Sequence, residues 1–303
     1  MTHRTNALPW IALVAVYFLW GSTYLGIRVA VATIPPYLMT GVRYAVAGLL
    51  LLALQWTFSK EKPAMPTPAQ LRRIAVIAVL LLVVGNGLLC LAETRVESGT
   101  AALLIASSPI FMVLLDAVRV RKVPTPVAIA GIVVGSFGVA ALVGKSTGHA
   151  DALMAALILF SSFSWAAGSV YAGSEGEHHP LTASLEMLIG GTLSILVGIL
   201  IGELGHVRLD AIAPASLWGM LWLIVGGAMV GYSAFAYTVR MLPTPTVATY
   251  GYVNPVVAVI LGALLLHEPV TWRIVAGGAA VVVSVALILL GNRQMSEEAV
   301  ASG

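Results

Sequence analysis

The chain has 303 residues, 59% of them hydrophobic and 10% charged, with a mean hydropathy of +0.96 and a formal net charge of +3. Soluble domains carry about 25% charged residues, so a soluble enzyme is excluded, and the Lys and Arg residues are not pooled on one helix face or in a tail as a nucleic-acid partner requires. Cys90 is the only cysteine, which excludes a disulfide framework and a thiolate metal cluster.

From the N-terminus onward, ten apolar stretches follow one another, near 8–32, 37–57, 73–93, 98–118, 124–144, 150–172, 180–202, 214–239, 244–266 and 270–291. Each is about 20 residues long and crosses a hydrocarbon core of about 30 Å as a helix. The pattern predicts an all-α integral membrane protein with ten transmembrane helices in a lipid bilayer. The opening "MTHR", the apolar run after it and "AVA" at Ala30–Ala32 imitate a signal peptide, but the run is too long and Arg28 stands just before the mock cleavage site. It reads as an uncleaved first helix. The loop with Lys60, Lys62, Arg72 and Arg73 and the loop with Arg119, Arg121 and Lys122 alternate with loops holding at most one or two positive residues. Rich loops face the cytoplasm, so both termini are expected inside. The second half, with Arg240 and Arg293 inside against Arg208 and Arg273 outside, takes its orientation from the first.

Residues 83–109 align without a gap on 229–255, placing Val84, Gly85, Thr100, Ala102 and Pro109 over Val230, Gly231, Thr246, Ala248 and Pro255 at an offset of 146. The register continues to Gly131 over Gly277, and Trp20 falls over Trp165 at an offset of 145. Two units follow, 1–147 and 148–303, each with five helices. An odd number of spans makes successive copies cross in opposite senses, so the prediction is two inverted five-helix repeats with a site near the midplane where they meet. Pro109 in "LLIASSPIFMVLLD" (103–116) and Pro255 in "TYGYVNPVVAVILG" (249–262) each interrupt a run that reads as one continuous helix. Proline there frees a carbonyl one turn back. The matched pair is expected to act as hinges.

The "FLWGSTYLG" opening, "AETRVESGTAALLIASSPIF", "NPVVAVILGALLLHEPVTWRIVAGGAAVVVSVALILL" and the repeat together resemble the EamA-type transporters of the drug/metabolite transporter superfamily, in their YedA-like branch. The resemblance covers nearly the whole chain. It implies ten helices with cytoplasmic termini in a bacterial inner membrane, alternating access, and export of amino acids, other metabolites or drugs. The chain keeps "HEP" at His267–Pro269, whereas the corresponding first-half position is Lys122 and not an acid, which puts a symmetric acid pair in doubt.

Tyr17, Trp20, Gly21, Tyr24 and Arg28 recur at spacings of three and four, giving the first helix an aromatic and polar face. Asn86, Cys90 and Glu93 share a stripe of the third helix. Trp165 and Ser169 lie on the sixth, Ser233, Tyr237 and Arg240 on the eighth, and Tyr250 and Asn254 on the ninth. Tyr17, Trp20, Tyr24, Arg28, Asn86, Cys90, Trp165, Ser169, Ser233, Tyr237, Tyr250 and Asn254 are therefore the candidate lining of a cavity for a small zwitterionic or amphipathic solute. Trp10, Trp56, Trp218 and Trp272, near helix ends, suit an interfacial belt. Among the intramembrane charges, Arg43 with Glu93 is expected to latch the outer mouth and Glu186 with Arg240 the inner mouth, the repeat exchanging their signs. The alternative is that each charge snorkels singly at the headgroup boundary.

"EGEHH" (175–179) offers carboxylates and imidazoles without the spacing of a metal helix, and reads as a solvated loop. No metal, ATP or other cofactor motif appears, so a gradient must drive transport. The leading expectation is a secondary transporter exporting amino acids or related small metabolites. A multidrug or other metabolite efflux carrier and a channel-like facilitator remain as alternatives, while an intramembrane enzyme would need convergent catalytic groups that the scattered charges do not offer. Oligomeric state is left open, with a monomer sufficient for this architecture.

Overall fold

A computed structural model of the chain describes residues 7–59, 64–121, 123–143, 149–173, 179–242, 244–247 and 249–301. Lys60, Lys62, Lys122, residues 175–178 and the side chains of Arg240 and Arg293 lie outside the described residues. Ten apolar helical segments fall within them: α1 (Leu8–Ala30), α2 (Pro36–Phe58), α3 (Pro68–Ala92), α4 (Ser98–Val120), α5 (Pro126–Leu142), α6 (Ala152–Gly173), α7 (Thr182–Leu200), α8 (Pro214–Phe235), α9 (Tyr250–Leu265) and α10 (Trp272–Gly291). Eight are long and apolar enough to cross a membrane; α5 and α9 are shorter. Proline opens α2, α3, α5 and α8, a position where its missing N–H is no loss. Thr67 and Gln70 add a capping box to α3.

Helices at matching places in the two halves pack on each other. Contacts between α2 and α7 run from Leu38 against Gly198, through Gly41 against Ile195, to Gly48 against Leu188, so the two are antiparallel. At their crossing Gly191 lies on the backbone of Ala45, where a Cβ would overlap it. The α5–α10 pair repeats the arrangement. A Cβ on Gly131 would meet Ser284 O at 3.0 Å and Ile288 N at 3.1 Å, and one on Gly277 would meet Gly138 O at 3.0 Å and Leu142 Cγ at 2.9 Å. Gly131 and Gly277, Gly138 and Ser284, and Leu142 and Ile288 are each 146 residues apart. The same contact is thus made twice with the halves exchanged.

Two backbone features also recur. The middle of α3 (Val79–Asn86) and of α8 (Leu223–Val230) is π-helical, a rare turn that widens the helix and is often found at functional sites. Carbonyls of both segments receive side chains from neighbouring helices: Ser161 Oγ donates to Gly85 O, Ser164 Oγ to Leu80 O at 2.7 Å, and Trp20 Nε1 to Gly227 O at 3.2 Å. Among the described residues, the two non-glycine residues with positive φ are Arg121 and His267, both at 54° and again 146 apart. They follow α4 and α9, where a left-handed residue ends a helix.

The prolines, matched in sequence, are not matched in structure. The expectation of one unbroken helix around Pro109 is corrected: α4 stops at Ile105 and restarts at Ser108, leaving Pro109 in a first turn. Ile105 O, the carbonyl facing the missing N–H, accepts from Ser108 Oγ at 2.7 Å and Ser162 Oγ at 3.2 Å, and Leu104 O accepts from Ser107 Oγ at 2.6 Å. Pro255 does lie inside its helix.

Candidate functional site

Where α1 meets α8 and α9, aromatic rings converge. The Trp20 ring lies 4.8 Å from Phe235 and 5.2 Å from Tyr250, edge-on to the latter, with Phe235 and Tyr250 themselves 5.6 Å apart. Tyr17 OH hydrogen-bonds Thr249 Oγ1. The Asn254 amide nitrogen, oriented to satisfy both ends, donates to the carbonyls of Tyr17 and Tyr250 at 3.2 Å. The structure therefore brings Tyr17, Trp20, Tyr250 and Asn254 together and adds Phe235 and Thr249, which the sequence pattern did not single out.

Other expected lining residues are used differently. Ser233 is exposed and its hydroxyl donates to Met229 O in its own helix, as Ser169 does to Trp165 O. Trp165 is half-buried and lies near Gly85, while Tyr237 is half-buried on the helical turn that continues α8 to Met241. Cys90 is fully buried and donates to Asn86 Oδ1 at 3.5 Å. The tryptophans expected at the interface, Trp10, Trp56, Trp218 and Trp272, are all exposed.

A second group gathers around the end of α3. Glu93 is 0% exposed and neither carboxylate oxygen has a hydrogen-bond partner. Arg43 is 4% exposed; its Nη2 donates to Tyr44 OH at 3.1 Å, and its Nε and Nη1 have no partner. Arg28 Nη1 donates to the main-chain oxygen of Glu93. Tyr24 packs against the buried cluster that includes Ile27, Leu89, Cys90 and Ala92. The expected outer latch is not closed here: Arg43 and Glu93 are buried, and among the described residues neither is in an ion pair. Their burial favours neither side chain reaching the headgroup boundary in this conformation. Glu186 is half-buried, and its expected partner, the Arg240 side chain, lies outside the described residues.

The ends of the bundle are tied by cross-repeat caps that sequence reasoning missed. Pro35 and Pro36 leave Tyr37 and Leu38 as the first free N–H donors of α2, and the Glu203 carboxylate accepts both, at 3.1 and 2.8 Å. Glu268 accepts from Ser98 N at 2.8 Å, Ser98 Oγ at 2.9 Å and Gly99 N at 3.1 Å, at the start of α4. His267, in its left-handed turn, aims Glu268 there, and a Cβ on Gly262 would collide with the carboxylate. These two acids meet the positive end of a helix dipole. At the opposite end Gln55 bridges Ser184 Oγ (2.8 Å) and Pro180 O (3.1 Å) at the start of α7, and Arg73 Nη2 donates to Ala172 O at 2.8 Å at the end of α6. Among the described residues no cluster of His, Cys, Asp and Glu could hold a metal.

The EamA-like transporter family profile matches residues 8–144 and again 152–290. The "Uncharacterized inner membrane transporter YedA" of Escherichia coli K12 is 35% identical over 93% of this chain and 90% of its own length. The "Probable amino-acid metabolite efflux pump" of Salmonella typhimurium is 24% identical over 92% of this chain and 93% of its own. A protein of known crystal structure, 17% identical, superposes over 95% of this chain and 100% of that one with a TM-score of 0.64, a likeness of fold. With its family profile matched twice across nearly the whole length, and helices apolar enough to cross a membrane in both matches, the chain belongs to the EamA-like transporter family.

Proposed function

We propose that this transporter is a secondary carrier that exports amino acids or related small metabolites across the inner membrane by alternating access. Its ten helices form two inverted five-helix repeats, 1–147 and 148–303, with both termini cytoplasmic. The observation that carries this reading is the exchanged contact between α5 and α10, in which Gly131 does to Ser284 and Ile288 what Gly277 does to Gly138 and Leu142. Such an isologous antiparallel contact suits two repeats related by a two-fold axis in the membrane plane, and a two-fold arrangement offers each mouth the motion of the other. The solute class draws on the relative named as an efflux pump for amino-acid metabolites.

On this reading the Glu203–Glu268 end is the outer end and is shut here, and the Gln55–Arg73 end faces the cytoplasm. Tyr17, Trp20, Tyr250 and Asn254 border the solute path, the α4 break before Pro109 and Pro255 in α9 act as unequal hinges, and Glu186 with Arg240 latches the inner mouth. The test is counterflow in proteoliposomes over a panel of amino acids, nucleosides and cationic drugs. A carrier of the proposed kind accelerates labelled uptake when an unlabelled amino acid is trapped inside. Acceleration only by drugs points to multidrug efflux, and uptake without acceleration points to a channel.

A further inference from the structure

Each π turn closes on a glycine. Gly231 N donates to Gly226 O, five residues back, and a Cβ on Gly231 would stand 3.0 Å from that carbonyl. A Cβ on Gly85 would stand 3.0 Å from Leu80 O, also five residues back. Gly85 and Gly231 are 146 residues apart, as are Leu80 and Gly226. Each glycine lies beside a tryptophan from the other half of the chain, Gly231 beside Trp20 of α1 and Gly85 beside Trp165 of α6. The two joints are nevertheless held differently. At α8 the indole lies on the glycine: a Cβ on Gly231 would reach Trp20 Nε1 at 2.7 Å and Cδ1 at 2.9 Å, and Nε1 donates to Gly227 O at 3.2 Å. At α3 the nearest Trp165 atom would be 3.5 Å from the new Cβ, an ordinary contact. There the carbonyls of the turn are taken by two buried serines of α6, Ser164 Oγ on Leu80 O at 2.7 Å and Ser161 Oγ on Gly85 O. The α1 residues at the matching offset of 145 are Val16 and Leu19, whose side chains have no donor.

We infer that Trp20 and the Gly226–Gly231 turn form a releasable joint between α1 and α8, parted when a mouth opens, while Ser161 and Ser164 keep α6 joined to the turn of α3. A π turn bonds a carbonyl to the N–H five residues on and an α-helix to the one four residues on, so a carbonyl is passed over where one gives way to the other. A buried carbonyl then needs a donor from elsewhere. α6 supplies two such donors on short side chains, and α1 supplies one at the far end of a long ring. The second joint therefore has one bond fewer to lose, and α1 parts from α8 before α6 parts from α3. Trp20 also belongs to the ring cluster with Phe235 and Tyr250, so its release reshapes the border of the proposed solute path. The inference rests on the alternating-access reading above and names one contact that the alternation breaks.

The experiment uses the full-length protein in detergent with its tryptophans replaced by 5-fluorotryptophan and read by fluorine NMR. Trp20→Phe and Trp165→Phe assign the two resonances by their loss. Gly231→Ala should displace the Trp20 resonance and leave that of Trp165 in place, because the new Cβ takes the space of the indole. Gly85→Ala brings a Cβ equally close to the carbonyl five residues back but meets no close indole, so it should leave both resonances where they are. The phenylalanine variants then test release without touching either glycine, and they carry the comparison alone if the alanine variants do not give a monodisperse protein. N-ethylmaleimide should label the buried Cys90 about threefold to tenfold faster in Trp20→Phe than in the wild type, the range of one lost hydrogen bond. In Trp165→Phe the rate should change by less than about twofold, because no hydrogen bond to the turn is lost. A Trp20 resonance unmoved by Gly231→Ala, equal displacement of both resonances, or equal labelling rates in the two phenylalanine variants overturns the inference. Counterflow separates it from the transport reading: counterflow with equal labelling rates keeps the carrier and sinks the joint, and unequal rates without counterflow do the opposite.

Discussion

The two ends of the bundle solve one problem with opposite chemistry. At the Glu203–Glu268 end, helix starts are capped by carboxylates and the end of α1 by a neutral hydroxyl, Ser216 Oγ donating to Val29 O at 2.8 Å. At the other end the start of α7 meets a neutral amide, Gln55, and the end of α6 meets the guanidinium of Arg73. Each charge sits where a helix dipole favours it: the carboxylate caps lie at one end, whereas guanidinium caps occur at both, Arg28 at the end of α3 and Arg73 at the end of α6. A chain obeying the positive-inside rule can place strong N-terminal caps outside and strong C-terminal caps inside. On the proposed inverted-repeat reading, the two halves form a symmetrical scaffold whose two closures are unequal. The residues after the left-handed turns show this directly, Glu268 following His267 where Lys122 follows Arg121.

The largest expected effect breaks the acid-capped end. Each charged cap is worth about 0.5–2 kcal/mol, so Glu203→Gln with Glu268→Gln should raise the open population at that end by about tenfold or more. Cys90, the only cysteine and fully buried, reports it: labelling by an impermeant maleimide from outside should accelerate by that factor in the double variant and by less in each single one. Gly262→Ala should copy Glu268→Gln without removing a charge, because the new Cβ displaces the carboxylate; wild-type labelling there would mean that Glu268 is not a latch. A smaller effect of opposite sign is expected for Arg73→Gln, which weakens the cation-capped end and should slow Cys90 labelling about twofold to fivefold, consistent with a half-buried charge–dipole contact of about 0.5–1 kcal/mol. Ser216→Ala, which loses only neutral bonds, the one to Val29 O and the one from Thr33 Oγ1, should change labelling by less than about threefold, because such bonds are exchanged with water on opening.

Much of this architecture can be read without coordinates, and the residues say why. Trp20 and Trp165, or Gly131 and Gly277, reveal themselves because apolar spans have a period and the repeat has a fixed offset. Tyr17, Trp20, Tyr250 and Asn254 are legible as a group because helical spacing puts polar and aromatic residues on inward faces. Glu203 is not legible: an acid in a short loop looks solvated, and its partners, the N–H groups of Tyr37 and Leu38, are 166 and 165 residues away. The π segments leave no trace in composition, since "VLLLVVGN" and "LIVGGAMV" are ordinary membrane sequence. Pro109 misleads because the helix break that accommodates it falls on Ala106 and Ser107, where neighbouring serines supply the missing donors. Arg43 and Glu93 attract attention as charges, but their burial and missing partners are visible only in the structure.

The measurement that bears most directly on unequal, reciprocal closure is a pair of distances taken on one protein. In a Cys90→Ser background, spin labels at Thr94 and Leu204 report the acid-capped end, and labels at Ser59 and Gly173 report the other; all four positions are exposed. Pulsed dipolar spectroscopy in nanodiscs should find the first distance lengthened and the second shortened when Glu203→Gln and Glu268→Gln are introduced. Two distances that move in the same direction, or an unchanged second distance beside a lengthened first, would contradict alternating closure about a shared two-fold scaffold.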